Sequence, residues 1–219
     1  ANDLATYSAC PTAIAGLIPQ AAFTDVTSTH VDCIKYYGIT KGTTATTYSP
    51  TASVTRWQMA LFLTRLANRS GATIPDGSAQ GFTDIAGYSA EIQTAINQLK
   101  QLGVTTGTTA TTYSPADNVT REQMALFISR LLKKAKVGPG GNTEYVTGTT
   151  GAKEIKSNDV DDNFTDIGWL SLIESATAIT SLWNLGVTDV QTGSTYEPTV
   201  IMTRKSMATF MANALAHTN

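Results

Sequence analysis

The sequence predicts a mainly α-helical fold made of three copies of one helix-loop-helix unit, and three observations support it. Phe-Thr-Asp recurs at Phe23–Asp25, Phe82–Asp84 and Phe164–Asp166. A glycine followed by Ile or Val and then Thr recurs at Gly38, Gly103 and Gly186, and a Thr-Arg pair follows at Thr55, Thr120 and Thr203. The spacing is fixed: Gly38 to Arg56, Gly103 to Arg121 and Gly186 to Arg204 each span 18 positions. Self-similarity held in register marks a repeat architecture, in which a unit buries its apolar face only against its neighbours.

The elements follow in order. Residues 1–21 form an N-terminal arm, and the copies occupy 22–70, 82–136 and 164–219, with linkers at 71–81 and 137–163. In each copy Phe-Thr-Asp opens a turn. A first helix is predicted over His30–Tyr37, Tyr88–Leu102 and Trp169–Leu185, shortest in the first copy. In the second copy Ile92, Ala95, Ile96 and Leu99 fall at helical spacing and Gly103 supplies the stop. A Thr/Gly-rich loop such as TTGTTATTYSPADN is too polar and turn-prone to be helical. A second helix then starts at Thr55, Thr120 or Thr203. Its apolar stripe is Met59, Phe62, Leu63 and Leu66, then Met124, Phe127, Ile128 and Leu131, then Met207, Phe210, Met211 and Ala214. One such stripe cannot be buried alone, so the copies must pack together. In the longer linker, TEYVTGTTGAKEI reads as a small β-hairpin, because alternating residues flank a Gly-containing turn.

Composition narrows the function. Apolar residues make up 42% and charged residues 15%, which describes a folded chain rather than a disordered one. A formal charge of −2 leaves no electrostatic footprint for nucleic acid, and no apolar run is long enough for membrane insertion. The polar residues are mostly Thr, Ser, Asn, Gln and Gly, a bias of secreted bacterial surface proteins. Cys10 and Cys33, an even pair close in sequence, predict a disulfide stapling the arm to the first copy; the alternative is two buried free thiols.

The start of the second helix contains one residue that helix formation does not explain. In VTREQMALF, Thr120 is the N-cap, Gln123 completes a capping box, and Val119 with Met124 forms a hydrophobic staple. Val54, Thr55, Gln58 and Met59 repeat this set, and Met202, Thr203, Ser206 and Met207 repeat it with a weaker box. Arg56, Arg121 and Arg204 then fall at the first helical position, beside the positive end of the helix dipole, where a cation costs about 0.3–1 kcal/mol. Two kinds of anion offset that cost. One is an internal carboxylate, Asp25, Asp84 or Asp166. The other is an external carboxylate or phosphate held by helix N–H groups and the guanidinium fork.

At these residues the sequence resembles the S-layer homology domain family. GITKGTTATTYSPTASVTRWQ, GVTTGTTATTYSPADNVTREQ and GVTDVQTGSTYEPTVIMTRKS each follow that family's pattern without a gap. The resemblance spans about residues 22–216. It implies a pseudo-threefold arrangement, with the second helices as a central three-helix bundle and the first helices and loops as three lobes. It also implies grooves that bind a cell-wall polysaccharide, often carrying pyruvate ketals whose carboxylate meets the Thr-Arg arginine. That role falls on Arg56, Arg121 and Arg204, with Gln58 and Gln123 at the family's Glu/Gln position. The Asp-Gly loop pair of the family is replaced by Ala45-Thr46, Ala110-Thr111 and Gly193-Ser194, and the second loop glycine, kept as Gly42 and Gly107, becomes Val190. After the arginine stand Trp57, Glu122 and Lys205: a candidate sugar-stacking ring, a charge that repels an anion, and one that attracts it.

Other constellations carry less. His30 and His217 have no catalytic or metal-binding partner motif, so no catalytic residue, metal or cofactor is assigned. The acidic run Asp159–Asn163 lacks the glycine and closing Glu of a calcium loop and reads as a solvated linker. Trp169 and Trp183 are weaker sugar candidates than Trp57. The sequence therefore predicts a non-catalytic, secreted module of the bacterial cell surface or cell wall. The alternative is a structural subunit of a surface layer, filament or viral coat, assembling through the N-terminal arm and the hairpin insert, with the same arginines in ion pairs to Asp25, Asp84 and Asp166 or to a neighbouring subunit.

Overall fold

The computed structural model describes residue 10 and residues 18–134, 145–147, 153–155, 162–190 and 192–216. Most of the N-terminal arm, the Asp159–Asp161 run and His217 lie outside the described residues. The fold is mainly helical. The described elements are α1 (Thr29–Tyr36), α2 (Arg56–Arg69), α3 (Ala90–Gln101), α4 (Arg121–Leu132), β1 (Tyr145–Thr147), β2 (Lys153–Ile155), α5 (Ile173–Leu185) and α6 (Arg204–Ala216). β1 and β2 pair antiparallel with Val146 opposite Glu154, the hairpin expected in the longer linker. Cys10 and Cys33 are joined in a disulfide.

Helix starts follow local chemistry. Ser28 and Ser89 cap α1 and α3 by accepting from Val31 and Ile92 N–H. Thr55 and Thr120 cap α2 and α4 with complete capping boxes to Gln58 and Gln123. Thr203 accepts from Ser206 N–H at the start of α6. Two first helices begin later than their apolar periodicity suggests, α3 at Ala90 rather than Tyr88 and α5 at Ile173 rather than Trp169. In both, the Phe-Thr-Asp turn continues: Tyr88 N–H bonds the Ile85 carbonyl and Leu170 N–H the Ile167 carbonyl. A chain still closing that turn cannot yet be helical, and Trp169 is left 62% exposed.

The packing is cyclic. α2, α4 and α6 touch one another, and their predicted stripes lie in one buried core. Each first helix packs on the second helix of the preceding copy, α3 on α2 and α5 on α4, while α1 packs on α6 and so joins the two ends of the chain. Backbone bonds run the same way round: Val54 N–H to Met202 O, Val119 to Val54 O, and Met202 to Val119 O. Ion pairs Arg65–Glu91 and Arg130–Glu174 bridge the first two helix pairs. Asn213 stands at the matching place on α6 and reaches the Val187 carbonyl; Thr209 and His30 contact each other across that pair.

The loops lock onto this ring through tyrosine. Tyr48, Tyr113 and Tyr196 are fully buried. Their hydroxyls donate to the carbonyls of Arg204, Arg56 and Arg121, each in the preceding copy around the ring. Ser49, Ser114 and Glu197, which follow these tyrosines, have φ of 57°, 55° and 60°. Side chains rarely adopt that region. The Phe-Thr-Asp carboxylates hold it in place. Asp25 accepts from Tyr48 and Ser49 N–H, Asp84 from Tyr113 and Ser114, and Asp166 from Tyr196 and Glu197.

Candidate ligand-binding site

The helix N-termini are already satisfied within the chain. Arg56 and Trp57 N–H donate to the Asp117 and Pro115 carbonyls, Arg121 and Glu122 N–H to Val200 and Pro198, and Arg204 and Lys205 N–H to Ala52 and Pro50. The third helical N–H bonds the capping threonine. This corrects the expectation that free helix amides help to hold an external anion: the loop of the next copy uses them.

The arginine side chains turn away from their own helices into the adjoining copy. Arg56, Arg121 and Arg204 are 3%, 6% and 3% exposed. Their Nε atoms donate to the carbonyls of Tyr113, Tyr196 and Tyr48 at 2.7, 2.8 and 2.6 Å. Each guanidinium lies over the same tyrosine ring, 4.6–4.7 Å from its centroid. A second ring, Phe127, Phe210 or Phe62, stands within 6.0 Å. Desolvated cation–π contacts of this kind contribute about 2 kcal/mol each, enough to offset a cation at a helix start. Asp25, Asp84 and Asp166 form no ion pair with these arginines, because the turns use their oxygens. The internal carboxylate that does pair is one the sequence reasoning missed. Asp189 meets Arg121 through two parallel bonds of 2.7 Å. A signal was present: Asp189 replaces Lys41 and Thr106 in the Gly-Ile/Val-Thr-x loops.

The arginines therefore differ electrostatically. Burial opposes the Arg121 charge, but the Asp189 hydrogen bonds and charge outweigh it, so its pKa lies above the ordinary arginine value. For Arg204, burial dominates, and the Tyr48 and Asp25 charges do not offset it, so its pKa lies below that value. Among the described residues no carboxylate pairs with Arg204, and its Nη2 is buried with no hydrogen-bond partner.

Arg204 faces a groove of about 280 Å³. One wall is the Thr40–Thr43 loop of the first copy, including Lys41; the other is α2, with Trp57, Gln58, Leu61, Phe62 and Arg65. The groove thus combines an aromatic ring, apolar walls and cations. Trp57 is half-buried, with its ring centroid 6.5 Å from that of Tyr88. Gln58 lines the groove while its Oε1 accepts from Thr55 N–H, and Gln123 makes the same bond to Thr120. Lys205 is exposed at the second position of α6. Arg65 also borders a second, polar hollow of about 300 Å³, lined by Tyr37, Gly38, Asn68 and Arg69. Among the described residues no His, Cys, Asp and Glu cluster is placed to hold a metal, and no helix is long and apolar enough to cross a membrane.

The family model for the S-layer homology domain matches residues 81–125. The matched segment is similar to that domain. It holds the second Phe-Thr-Asp turn, α3, the Gly-Val-Thr loop and the Thr120-Arg121 start of α4. S-layer homology domains are, in general, non-catalytic modules that anchor secreted proteins to cell-wall polysaccharide. The chain is also similar to an endoglucanase of Bacillus sp. (strain KSM-635), 41% identical over 91 residues. That alignment covers 41% of this chain and 9% of the endoglucanase.

Proposed function

We propose that all three copies are S-layer homology repeats and that together they form a non-catalytic anchor for an anionic, pyruvylated cell-wall polysaccharide. The match over residues 81–125 supports the middle copy directly. For the outer copies the support is the shared bonding: every Thr-Arg arginine binds a tyrosine carbonyl of the adjoining copy, and every Phe-Thr-Asp carboxylate caps the same turn. The observation that carries the ligand reading is Arg204: it lines a groove that also holds Lys41 and Trp57, and one of its guanidinium nitrogens is buried without a partner. A pyruvyl carboxylate supplies the missing acceptor, and the Trp57 ring supplies a surface for the sugar.

The test is co-sedimentation with purified bacterial walls, before and after mild acid removes the pyruvate ketals. Binding is expected to fall at least tenfold after ketal removal, and by a similar factor for Trp57→Ala on untreated walls, with the melting temperature little changed. Equal binding on both wall preparations, together with unimpaired Trp57→Ala, would rule the reading out.

A second reading, a structural subunit of a surface assembly, draws on a different observation. Trp169, Leu172 and Ile173 are exposed at 62%, 51% and 83%, close in sequence at the entry to α5. Ordered arrays of the purified chain in the electron microscope would favour it; a monomer on size-exclusion chromatography would count against it.

A further inference from the structure

The three arginines share a helix position, a tyrosine carbonyl and a ring, yet among the described residues only Arg121 has both terminal nitrogens paired with a carboxylate. That carboxylate comes from the residue after Gly-Ile/Val-Thr in the adjoining copy. The same position holds Lys41 opposite Arg204 and Thr106 opposite Arg56. We propose that Asp189 is a built-in occupant of the Arg121 anion site, and that this loop position decides which groove accepts an external carboxylate. The inference rests on the anchoring reading and adds to it the ranking of the grooves.

The geometry is that of a bound ligand. A fork-to-fork pair with both N···O distances at 2.7 Å uses the whole guanidinium face, leaving an incoming carboxylate no pair of parallel donors. The surrounding charges point the same way: Asp189 and Glu197 both act on Arg121, so a second anion there meets repulsion. Around Arg204 the matching residues are Lys41, Ser49 and Lys205, and Arg65 lines the same groove. One copy of the unit thus closes its neighbour's site with its own carboxylate, while another leaves it open and adds a cation. The Arg204 groove is the principal carboxylate site, and the Arg121 groove is a strut.

A reciprocal exchange tests this. Lys41 is exposed, so Lys41→Asp tests the open groove without disturbing the core. Asp189→Thr copies the Thr106 arrangement in the closed one. Titration calorimetry of the full chain uses a monosaccharide glycoside carrying a 4,6-pyruvate ketal as probe, with the ketal-free glycoside as control. Lys41→Asp is expected to weaken binding at least tenfold with its melting temperature retained. Asp189→Thr is expected to add one binding site per chain, of the kind Thr106 leaves at Arg56, and the double variant to lose the Arg204 site while keeping the one gained at Arg121. Wild-type affinity in Lys41→Asp, or wild-type stoichiometry in a folded Asp189→Thr, overturns the assignment of this position. A wild-type chain that binds neither the probe nor walls is a different failure: it removes the anchoring reading, and the inference with it.

Discussion

An arginine at the first position of a helix is unfavourable only if its charge stays there. In this chain the side chain carries the guanidinium into the adjoining copy, under a tyrosine ring and against its carbonyl. The threonine, glutamine and methionine around it were legible from sequence, because caps and staples are local. The partner of each arginine was not, because it comes from a loop tens of residues away or at the other end of the chain. His30 shows a similar long-range tie at the α1–α6 contact, where its Nδ1 lies 3.2 Å from Thr209 Oγ1. Burial holds its pKa below the ordinary 6.5. The unfolded chain therefore binds that proton more readily than the folded one, and stability drops as pH drops. The contribution of the neutral ring is complete above about pH 6.5 and is lost as pH drops through the lower folded value. Thermal melts from pH 8 to pH 5 should show a fall that is flatter in His30→Gln; parallel curves for the two chains would refute the assignment.

At the scale of the element, the loops differ in what they require of the backbone. Gly42 and Gly107 have φ of 86° and 90°, and a Cβ on either would come within 2.7 Å of two carbonyl oxygens and a phenylalanine ring carbon. Their N–H groups bond Thr40 and Thr105 Oγ1. Gly107→Ala should destabilise the fold by about 1–3 kcal/mol or more, from the positive φ alone and then the clash. A melting temperature within a degree of wild type would contradict this. The third copy has Val190 at this place, and there the threonine is the donor, Thr188 Oγ1 to the Val190 carbonyl. The sequence pattern flagged that departure but could not show its result. Helix boundaries show the same limit: apolar periodicity located α3 and α5, yet their starts were set by the Phe-Thr-Asp turns, whose hydrogen bonds periodicity does not encode.

At the scale of the molecule, the copies close into a ring of contacts in which each depends on the next. α1 is covered by α6, and Tyr48 is tied to Arg204, so the first copy relies on the last. A chain ending before Phe164 should therefore lose more than its third copy. It would expose the α1 and α2 faces that α6 covers, and circular dichroism should show no cooperative melt for the remainder. The intact chain should unfold in one transition, with calorimetric and van't Hoff enthalpies in agreement. A truncated chain retaining a sharp melt near the wild-type temperature would show that the copies fold independently. The Cys10–Cys33 disulfide adds a covalent tie to this junction of the chain ends, fastening residue 10 to α1.

By itself the sequence determined the unit: its helices, its caps and its family likeness. All of these follow from residue type and local spacing, which three copies in register make hard to misread. Only the tertiary structure decided where the arginines go and which remain unpaired. Those outcomes depend on which loop of one copy meets which helix of another, and ring closure sets that pairing. Asp189 beside Arg121 and Lys41 in the groove of Arg204 are a single position in the repeat; the fold places each against a different arginine and so gives the two arginines opposite electrostatic surroundings.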